Sequence, residues 1–405
     1  MRYSTVALNE YPLRWVALVS ALLGIGVTFA LQLDPMQNPD SIAFVAIARS
    51  VMSGHGFRYQ EALIPGLDLF AFRAPGYPAF LAAALSLGGI GVVIAIQGAL
   101  NGLAAALVGA IARDLGAGRW AWAAFALRLL WPAGWLYSGL LLNETLFEFT
   151  SLLAVWLTLR SIAQRQQRWS IAAGVCVAVA ILCRPIGVGL AGALGLWFLF
   201  KFPRAAVPFT LAALLVWAPW PIRNAGVFHT FVPFSTNGGA TTWAGTTDGQ
   251  VLPAYQWMGQ HVESGELGFD RHFYALARER KRADPAAARA AALQRAVTYL
   301  GPMCSREPGA WSNRFAFLWA LAALGFASSR RRAILPLLIW AAQGAMMVPI
   351  FLIGRYGFPT EWCLVVMSAF ALQSLAERAG ARRALAAGAI ALALCVAGSL
   401  VLARG

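Results

Sequence analysis

Arg73, Arg184, Arg223 and Arg355, with Asp40, Glu144, Glu148 and Glu361, stand at or within a turn of the ends of long apolar stretches. Asn143 precedes Glu144, Asn224 follows Arg223, and Tyr356 follows Arg355. Charged groups held against an apolar environment are expensive, so each is a candidate for function. Their types suggest one chemistry. A guanidinium fork binds phosphate oxygens in pairs, and a carboxylate beside it takes the proton from an attacking hydroxyl. A mixed ring of acids and arginines suits a phosphate-bearing substrate together with a hydroxyl to be activated. Each member also has a purely structural reading. Asp40 precedes the helical run SIAFVAIARSVMSG and would serve as its N-cap. Arg73 and Arg355 would anchor at the interface, Glu144 would cap the helix that follows it, and Arg184 before Pro185 would end one. Arg128, inside a span and nearer its inner end, snorkels or pairs on this reading.

The elements that must position these groups follow from composition. Of 405 residues, 59% are hydrophobic and 12% charged, and the mean hydropathy is +0.63, whereas soluble domains are near half apolar and about a quarter charged. Disordered chains are apolar-poor, which excludes that class. The formal charge of +15 does not mark a nucleic-acid partner, because no stretch joins dense charge to a water-facing surface. The chain reads as an all-α polytopic membrane protein.

A spanning helix needs about 20 mostly apolar residues. Spans are expected at 13–33, 90–112, 120–142, 145–160, 169–183, 185–201, 205–221, 311–328, 333–353, 359–376 and 384–403, about eleven (ten to thirteen) by that criterion. The first is read as uncleaved. Segment 75–89 is placed in the outer interface by the positive-inside rule. With that choice Arg2, Arg14, Arg113, Arg119, Arg160, Arg165, Arg168, Lys201, Arg204, Arg330, Arg331, Arg332, Arg378, Arg382 and Arg383 share one side with the acids Glu10, Asp114 and Glu377. The N-terminus is then cytoplasmic and the C-terminus outside. Residues 1–221 form an N-terminal membrane module with a first outer loop at 34–89, residues 222–310 a large outer loop, and residues 311–405 the C-terminal membrane helices. Within the large loop, 271–300 reads as two amphipathic helices lying on the membrane, interrupted at Pro285.

Other chemistries have weaker signals. His55, His229, His261 and His272 make no zinc-protease or zinc-finger spacing, although His261, Glu263 and His272 could meet at a metal. The five cysteines include no CxxC; Cys304 and Cys363 could pair, but free thiols are the expectation. The stretch STNGGATTWAGTTDG at 235–249 lacks the Walker Lys-Ser/Thr and reads as a flexible outer loop that grips a sugar or an acceptor.

Several motifs in order carry a family signal. NPDSIAFVAIARSVMSGHGF followed by FRAPGYPAFLAA resembles the first outer loop of the GT-C superfamily of polytopic membrane glycosyltransferases. That superfamily includes the protein O-mannosyltransferases and the lipid A aminoarabinose transferase (glycosyltransferase families 39 and 83). LLNETLF, RPIG, PFSTNGG and GRYGFP resemble later motifs of the same enzymes, so the likeness covers nearly the whole chain. Two positions depart from it. Ser41 follows Asp40 where many relatives carry a second acid, and Ala74 separates Arg73 from Pro75 where RPP or KP is more usual.

The resemblance implies an inverting transfer of a sugar from a polyprenyl-phosphate carrier to a lipid, glycan or protein acceptor on the periplasmic face of a bacterial cytoplasmic membrane. It implies Asp40 as catalytic base, with Asp34 in reserve. It also implies Arg73 on the donor phosphate, Glu144 at the active site, and Arg355 with Tyr356 near the carrier's phosphate. Tyr77 of the PGYP turn and Arg184 join the donor-binding set, and Asn237, Gly238 and Gly239 form a possible acceptor loop. The expected partners are membrane lipids, the lipid-linked sugar donor and the acceptor; no nucleic acid is expected, no metal ligand is assigned, and the metal requirement stays open. Two other classes share parts of the pattern. A flippase or transporter would gather its charges near the midplane of broken helices. An O-antigen polymerase or ligase would share the lipid-linked sugar without the Asp–PGYP pair in the first outer loop.

Overall fold

The computed structural model describes residues 12–61, 64, 66–247, 251–300, 316–350 and 354–402. The chain opens with α1 (Leu13–Ala30) and α2 (Pro39–Met52). A two-stranded antiparallel ribbon follows, β1 (Tyr59–Gln60) on β2 (Asp68–Leu69), with Tyr59 opposite Leu69. The long α3 spans Gly76–Asp114. The bundle continues through α4 (Ala121–Leu129), α5 (Pro132–Ser138), α6 (Glu144–Gln164), α7 (Gln167–Cys183), α8 (Gly187–Lys201), α9 (Ala206–Trp217) and α10 (Pro219–Phe228). The large loop carries α11 (Gly238–Ala244), α12 (Leu252–Gln260), α13 (Gly265–Ala283) and α14 (Pro285–Leu300). The chain ends in α15 (Ala316–Ser328), α16 (Arg330–Met347), α17 (Gly354–Gly357), α18 (Trp362–Ala379) and α19 (Ala381–Leu402).

Among the described residues, five helical stretches are long and apolar enough to cross a membrane: Leu13–Ala30, Gly76–Asp114, Glu144–Gln164, Pro203–Phe228 and Phe358–Ala379. Large apolar side chains point outward along them, as Trp15, Leu22, Val207 and Leu215 do, which suits a lipid solvent. Helices in lipid gain little from hydrophobic exclusion and depend on close packing through small residues. The seam between α1 and α3 shows this. A Cβ at Gly102 would overlap the Ser20 carbonyl, and one at Gly24 would overlap the carbonyl of Gly98.

Two expected spans take a different form. The stretch 75–89 and the span 90–112 join in α3, but the run bends at Gly88 and Gly89, where Gly89 adopts φ +77° and ψ −164°. Only glycine tolerates that region readily, so α3 is two helices, 76–87 and 90–114, meeting at the expected boundary. The span 120–142 is not one helix. Trp131 is extended (ψ 114°) and Pro132 starts α5, because proline supplies no N–H to continue α4 and disfavours helix at the residue before it. In the large loop the break at Pro285 falls where expected. The apolar stripe of α13 does not lie on a membrane, however: Phe269, Phe273 and Ala277 are buried in the protein.

That stripe belongs to a core shared by the two outer loops. Ala43 and Ile47 of α2, Tyr59, Leu69 and Phe72 pack with Ala240, Met258, Phe269 and Phe273. Each fully buried Phe is worth roughly 1.5–3 kcal/mol. Polar bonds lock the same junction. Glu266 accepts from the N–H groups of Phe70 (2.5 Å) and Ala71 (2.9 Å) and from the Thr236 hydroxyl. Arg223 donates to the carbonyls of Phe70 (2.9 Å) and Phe57 (3.0 Å). The loop bearing Asp40 and the loop bearing 235–249 are therefore one packed unit above the bundle.

Candidate active site

A cavity of about 380 Å³ opens where the outer loops meet the helix ends. The first outer loop contributes Asp40, Phe44 and Arg73, and the junction of α7 and α8 contributes Cys183, Arg184 and Pro185. The large loop adds Ser235, Asn237, Gly238, Thr241 and Tyr274, and Tyr356 closes the lining. Ile186, Met346, Met347 and Ile350 supply apolar surface on the same cavity.

Asp40 is not the N-cap of α2. Asn38 takes that role, its side-chain oxygen accepting the Asp40 N–H at 2.9 Å, with Pro39 at the first helical position. Asp40 is thus in the first turn, where the helix dipole favours its charge, and its carboxylate is directed to Arg73. The pair closes at 2.8 Å with side chains 18% and 15% exposed. The Arg73 guanidinium lies 5.9 Å from the Phe44 ring and 5.6 Å from the Phe72 ring. Tyr59 and Tyr255 stand beside it; burial raises both phenols above their ordinary range, with Arg73 opposing. At neutral pH both are neutral donors.

A second paired arginine, Arg184, lines the same cavity. Arg184 reaches Glu144 at 3.1 Å and lies 4.7 Å from the Tyr356 ring. Pro185 holds Arg184 extended (φ −148°, ψ 122°) at the end of α7, so its side chain leaves the helix. Asn143 ties the start of α6 to the end of α7 through the Cys183 carbonyl at 3.0 Å. Glu144, 1% exposed, is in the first turn of α6. Arg184 does end a helix and Glu144 does begin one, but each also forms the pair at the cavity.

The stretch 235–249, expected as a flexible loop, contains α11. Its turn is fixed from α13: Asp270 accepts the Gly239 N–H at 2.6 Å, and Ser235 donates to Asn237 at 2.8 Å. A Cβ at Gly238 would overlap the Tyr274 hydroxyl, and one at Gly239 the Asp270 carbonyl, so this approach requires both glycines. Burial pushes the Asp270 carboxyl up to about 6, the Gly239 N–H opposing.

The remaining expected residues are elsewhere. Tyr77 is fully buried beneath the cavity, where its hydroxyl donates to Gln97 at 2.7 Å and its ring meets Phe44 edge-on. Asp34 is exposed and accepts the Met36 N–H at 2.9 Å. Arg355 belongs to α17, and its side chain lies outside the described ones. Arg223 and Asn224 serve the loop junction, Asn224 donating to the Val232 carbonyl at 3.0 Å. Glu361 accepts from the Trp131 indole at 2.5 Å. Arg128 pairs with Glu148, and both are buried. Cys304 lies outside the described residues, and Cys363 is a buried free thiol. His261 and His272 each stack on the Trp257 ring, at 4.3 and 4.0 Å between centroids, and with Glu263 they form no three-ligand group among the described residues.

Sequence reasoning passed over Phe44, Tyr59, Tyr255, Thr241, Asp270 and Tyr274. Asp270 and Tyr274 carried a signal, since positions four apart share a helix face, but nothing in the chain pointed that face at a distant glycine turn.

No family model and no curated protein matches the sequence. Among solved structures, the oligosaccharyltransferase of Archaeoglobus fulgidus in complex with Zn and sulfate aligns over 95% of this chain and 52% of its own, at 15% identity and a TM-score of 0.62. The oligosaccharyltransferase AglB from Archaeoglobus fulgidus, in complex with an inhibitory peptide and a dolichol-phosphate, aligns over 96% of this chain and 55% of its own, at 14% identity and a TM-score of 0.59. ArnT from Cupriavidus metallidurans bound to undecaprenyl phosphate aligns over 90% and 78%, at 15% identity and 0.43. The chain spans about half the length of the archaeal protein. The likeness to the archaeal protein establishes a shared fold.

Proposed function

We propose that this protein is an inverting membrane glycosyltransferase that moves a sugar from a polyprenyl-phosphate donor to an acceptor hydroxyl on a lipid, glycan or protein. The observation that carries this reading is the cavity itself. Asp40 and Arg73 line it as one ion pair, and Arg184, backed by the buried Glu144, lines it as a second paired arginine, beside an apolar strip and a glycine turn.

Asp40 is the general base. It takes the proton of the acceptor hydroxyl as that oxygen attacks the anomeric carbon, while the bond from that carbon to the phosphate oxygen breaks on the opposite side. Such help is worth about 10²–10⁴ in rate. The leaving phosphate needs no proton, and the charge it gains is met by guanidiniums. Arg73 turns from Asp40 to the donor phosphate, which both binds the donor and frees the base. Arg184, with Tyr356 stacked on it and Arg355 next in sequence, holds the carrier's side of the phosphate. Fixed positive charge aimed at the leaving group in a poorly hydrated site contributes the larger share of catalysis. The prenyl chain lies along Ile186, Met346, Met347 and Ile350. Asn237, Gly238 and Gly239 face the sugar or acceptor. Tyr77 acts at one remove, by packing under Phe44, and Asp34 remains the reserve base.

The donor set does not suit a divalent cation. Asp40 and Glu144 each face a guanidinium, Ser41 stands where a second acid would be, and no three His, Cys, Asp or Glu side chains gather among the described residues. No step is assigned to a metal. The reading takes in about eleven spans by the length criterion, with residues 1–221 and 311–405 in a bacterial cytoplasmic membrane, residues 222–310 periplasmic and the N-terminus cytoplasmic.

The test is a radiolabelled polyprenyl-phosphate-sugar assay with purified protein. Transfer of label to an acceptor, lost in Asp40→Asn, is expected. A flippase would move the donor across vesicles with no new glycosidic bond, and that result would overturn the reading.

A further inference from the structure

A second cavity, of about 540 Å³, lies at the opposite end of the bundle. The helix α6 sets the separation. It begins at Glu144 beside the first cavity, and its last turns carry Arg160 and Gln164 into the second. Its 21 residues correspond to roughly 30 Å, about one membrane thickness. Three arginines, Arg14, Arg113 and Arg160, line the second cavity together with three tryptophans, Trp15, Trp156 and Trp169.

The charges are arranged around one carboxylate. Asp114 meets Arg113 at 2.7 Å and Arg160 at 3.8 Å, and the Arg160 guanidinium lies 4.9 Å from the Trp156 ring. The indole N–H of Trp156 is buried with no hydrogen-bond partner among the described residues. Trp169 has one, Gln164 at 2.8 Å. A buried donor without a partner is costly, so an acceptor entering the cavity would find a donor waiting there. The volume falls within the ordinary range of ligand sites, about 300–1,000 Å³.

We infer that this cavity binds the phosphate of an anionic phospholipid headgroup. Guanidiniums grip phosphate oxygens bidentately, and tryptophans concentrate at the membrane–water boundary. Basic pockets between helices at the cytoplasmic side hold such headgroups. A soluble phosphate would use the same arginines, but the surroundings favour a lipid. Trp15, Leu18, Val19 and Leu22 are all exposed on α1, and this spacing makes one apolar face running from the cavity along the bundle, where acyl chains would lie. The site is independent of the sugar chemistry at the other end.

The experiment uses full-length protein stripped of lipid in a neutral detergent. Dioleoylphosphatidylglycerol, dioleoylphosphatidylcholine and inorganic phosphate are titrated separately, read by the thermal unfolding midpoint and by bound-lipid count in native mass spectrometry. Phosphatidylglycerol is expected to raise the midpoint saturably, and the other two are not. Arg14→Gln and Arg160→Gln should each raise the half-saturating lipid concentration about tenfold, and Arg289→Gln, exposed and outside both cavities, should leave it unchanged. Equal effects of phosphatidylcholine, or unchanged midpoints in both arginine variants, overturn the proposal. Inorganic phosphate matching the lipid overturns the headgroup assignment in favour of a soluble anion. Arg14 is exposed, so Arg14→Gln carries the test if Arg160→Gln does not fold.

Discussion

Two arginine–carboxylate pairs, Arg128–Glu148 and Arg73–Asp40, use the same chemistry for opposite ends. Arg128 and Glu148 are 2% and 1% exposed and are joined by two bonds, Nε to Oε1 at 2.8 Å and Nη2 to Oε2 at 2.5 Å. Asn101 accepts from the same guanidinium at 2.9 Å, and Phe358 covers it at 5.5 Å. Arg73 and Asp40 instead open on the cavity. A closed, bidentate pair with a third bond to Asn101, shut away from the cavity, has no ligand to part for. A pair at a cavity wall can exchange one partner for a ligand. Pairing alone does not mark function; what matters is whether a third charged group can reach the pair.

The largest contrast should come from Asp40→Asn. Transfer is expected to fall about 10²–10⁴-fold with the unfolding midpoint within a degree or two. Loss of folding instead would place Asp40 with Arg128 as a structural charge. Next in size, Glu148→Ala should destabilise by about 3–5 kcal/mol, since it strands a buried guanidinium, while the double replacement Arg128→Met with Glu148→Leu should recover most of that loss. Thermal denaturation in detergent reads both; full recovery of stability with no loss of transfer would show that this pair has no part in the chemistry. Arg184→Ala should raise the donor KM about tenfold to a hundredfold, as expected for a charge-assisted phosphate contact, and Arg184→Lys should recover only part. An unchanged KM would return Arg184 to the role of helix terminator.

The smallest effect is a pH dependence in the outer unit. Burial raises the Asp270 carboxyl from 3.8 to about 6 in the folded protein. A raised carboxyl binds its proton more tightly folded than unfolded, so its contribution to stability is present at low pH and is lost as pH rises through about 6. Wild type should therefore lose stability as pH rises from about 4 to about 6, by at most about 3 kcal/mol and by less once partial solvent exposure is allowed for. Asp270→Asn keeps the acceptor for the Gly239 N–H and removes the titration. Its melting curve should show a weaker pH slope over this window and greater stability at pH 7.5. A slope equal to that of wild type would assign the pH dependence to another group.

What the chain disclosed in advance was its apolar length. Helices α1, α6, α7, α8 and α18 fall near their expected spans, because an unbroken apolar run has few alternatives in a membrane. The bend at Gly88 and Gly89 was legible as a change of segment, and the break at Pro132 was missed because the apolar residues continue through it. At the site, the motif residues Asp40, Arg73, Arg184 and Tyr356 meet in one cavity. Partner choice was not legible. Arg223 at the end of a span looks like Arg184 at the end of another, and only the folded loop shows that one reaches backbone carbonyls and the other a carboxylate. Tyr255, Asp270 and Tyr274 were hidden because their loop has no apolar run to fix its position; its placement depends on contacts far away in sequence.

The Glu266 clamp has a consequence for the order of events during synthesis. Its carboxylate bonds the Ala71 N–H across 195 residues, so the turn that leads to Arg73 has no anchor until the large loop emerges. At about 5–20 residues per second of synthesis, Asp40 and its arginine wait roughly 10–40 s for the segment that fixes them. A nascent chain truncated before α13 would carry every motif of the first outer loop and yet be inert. Competence is gained in one late step, when the second loop docks on the first.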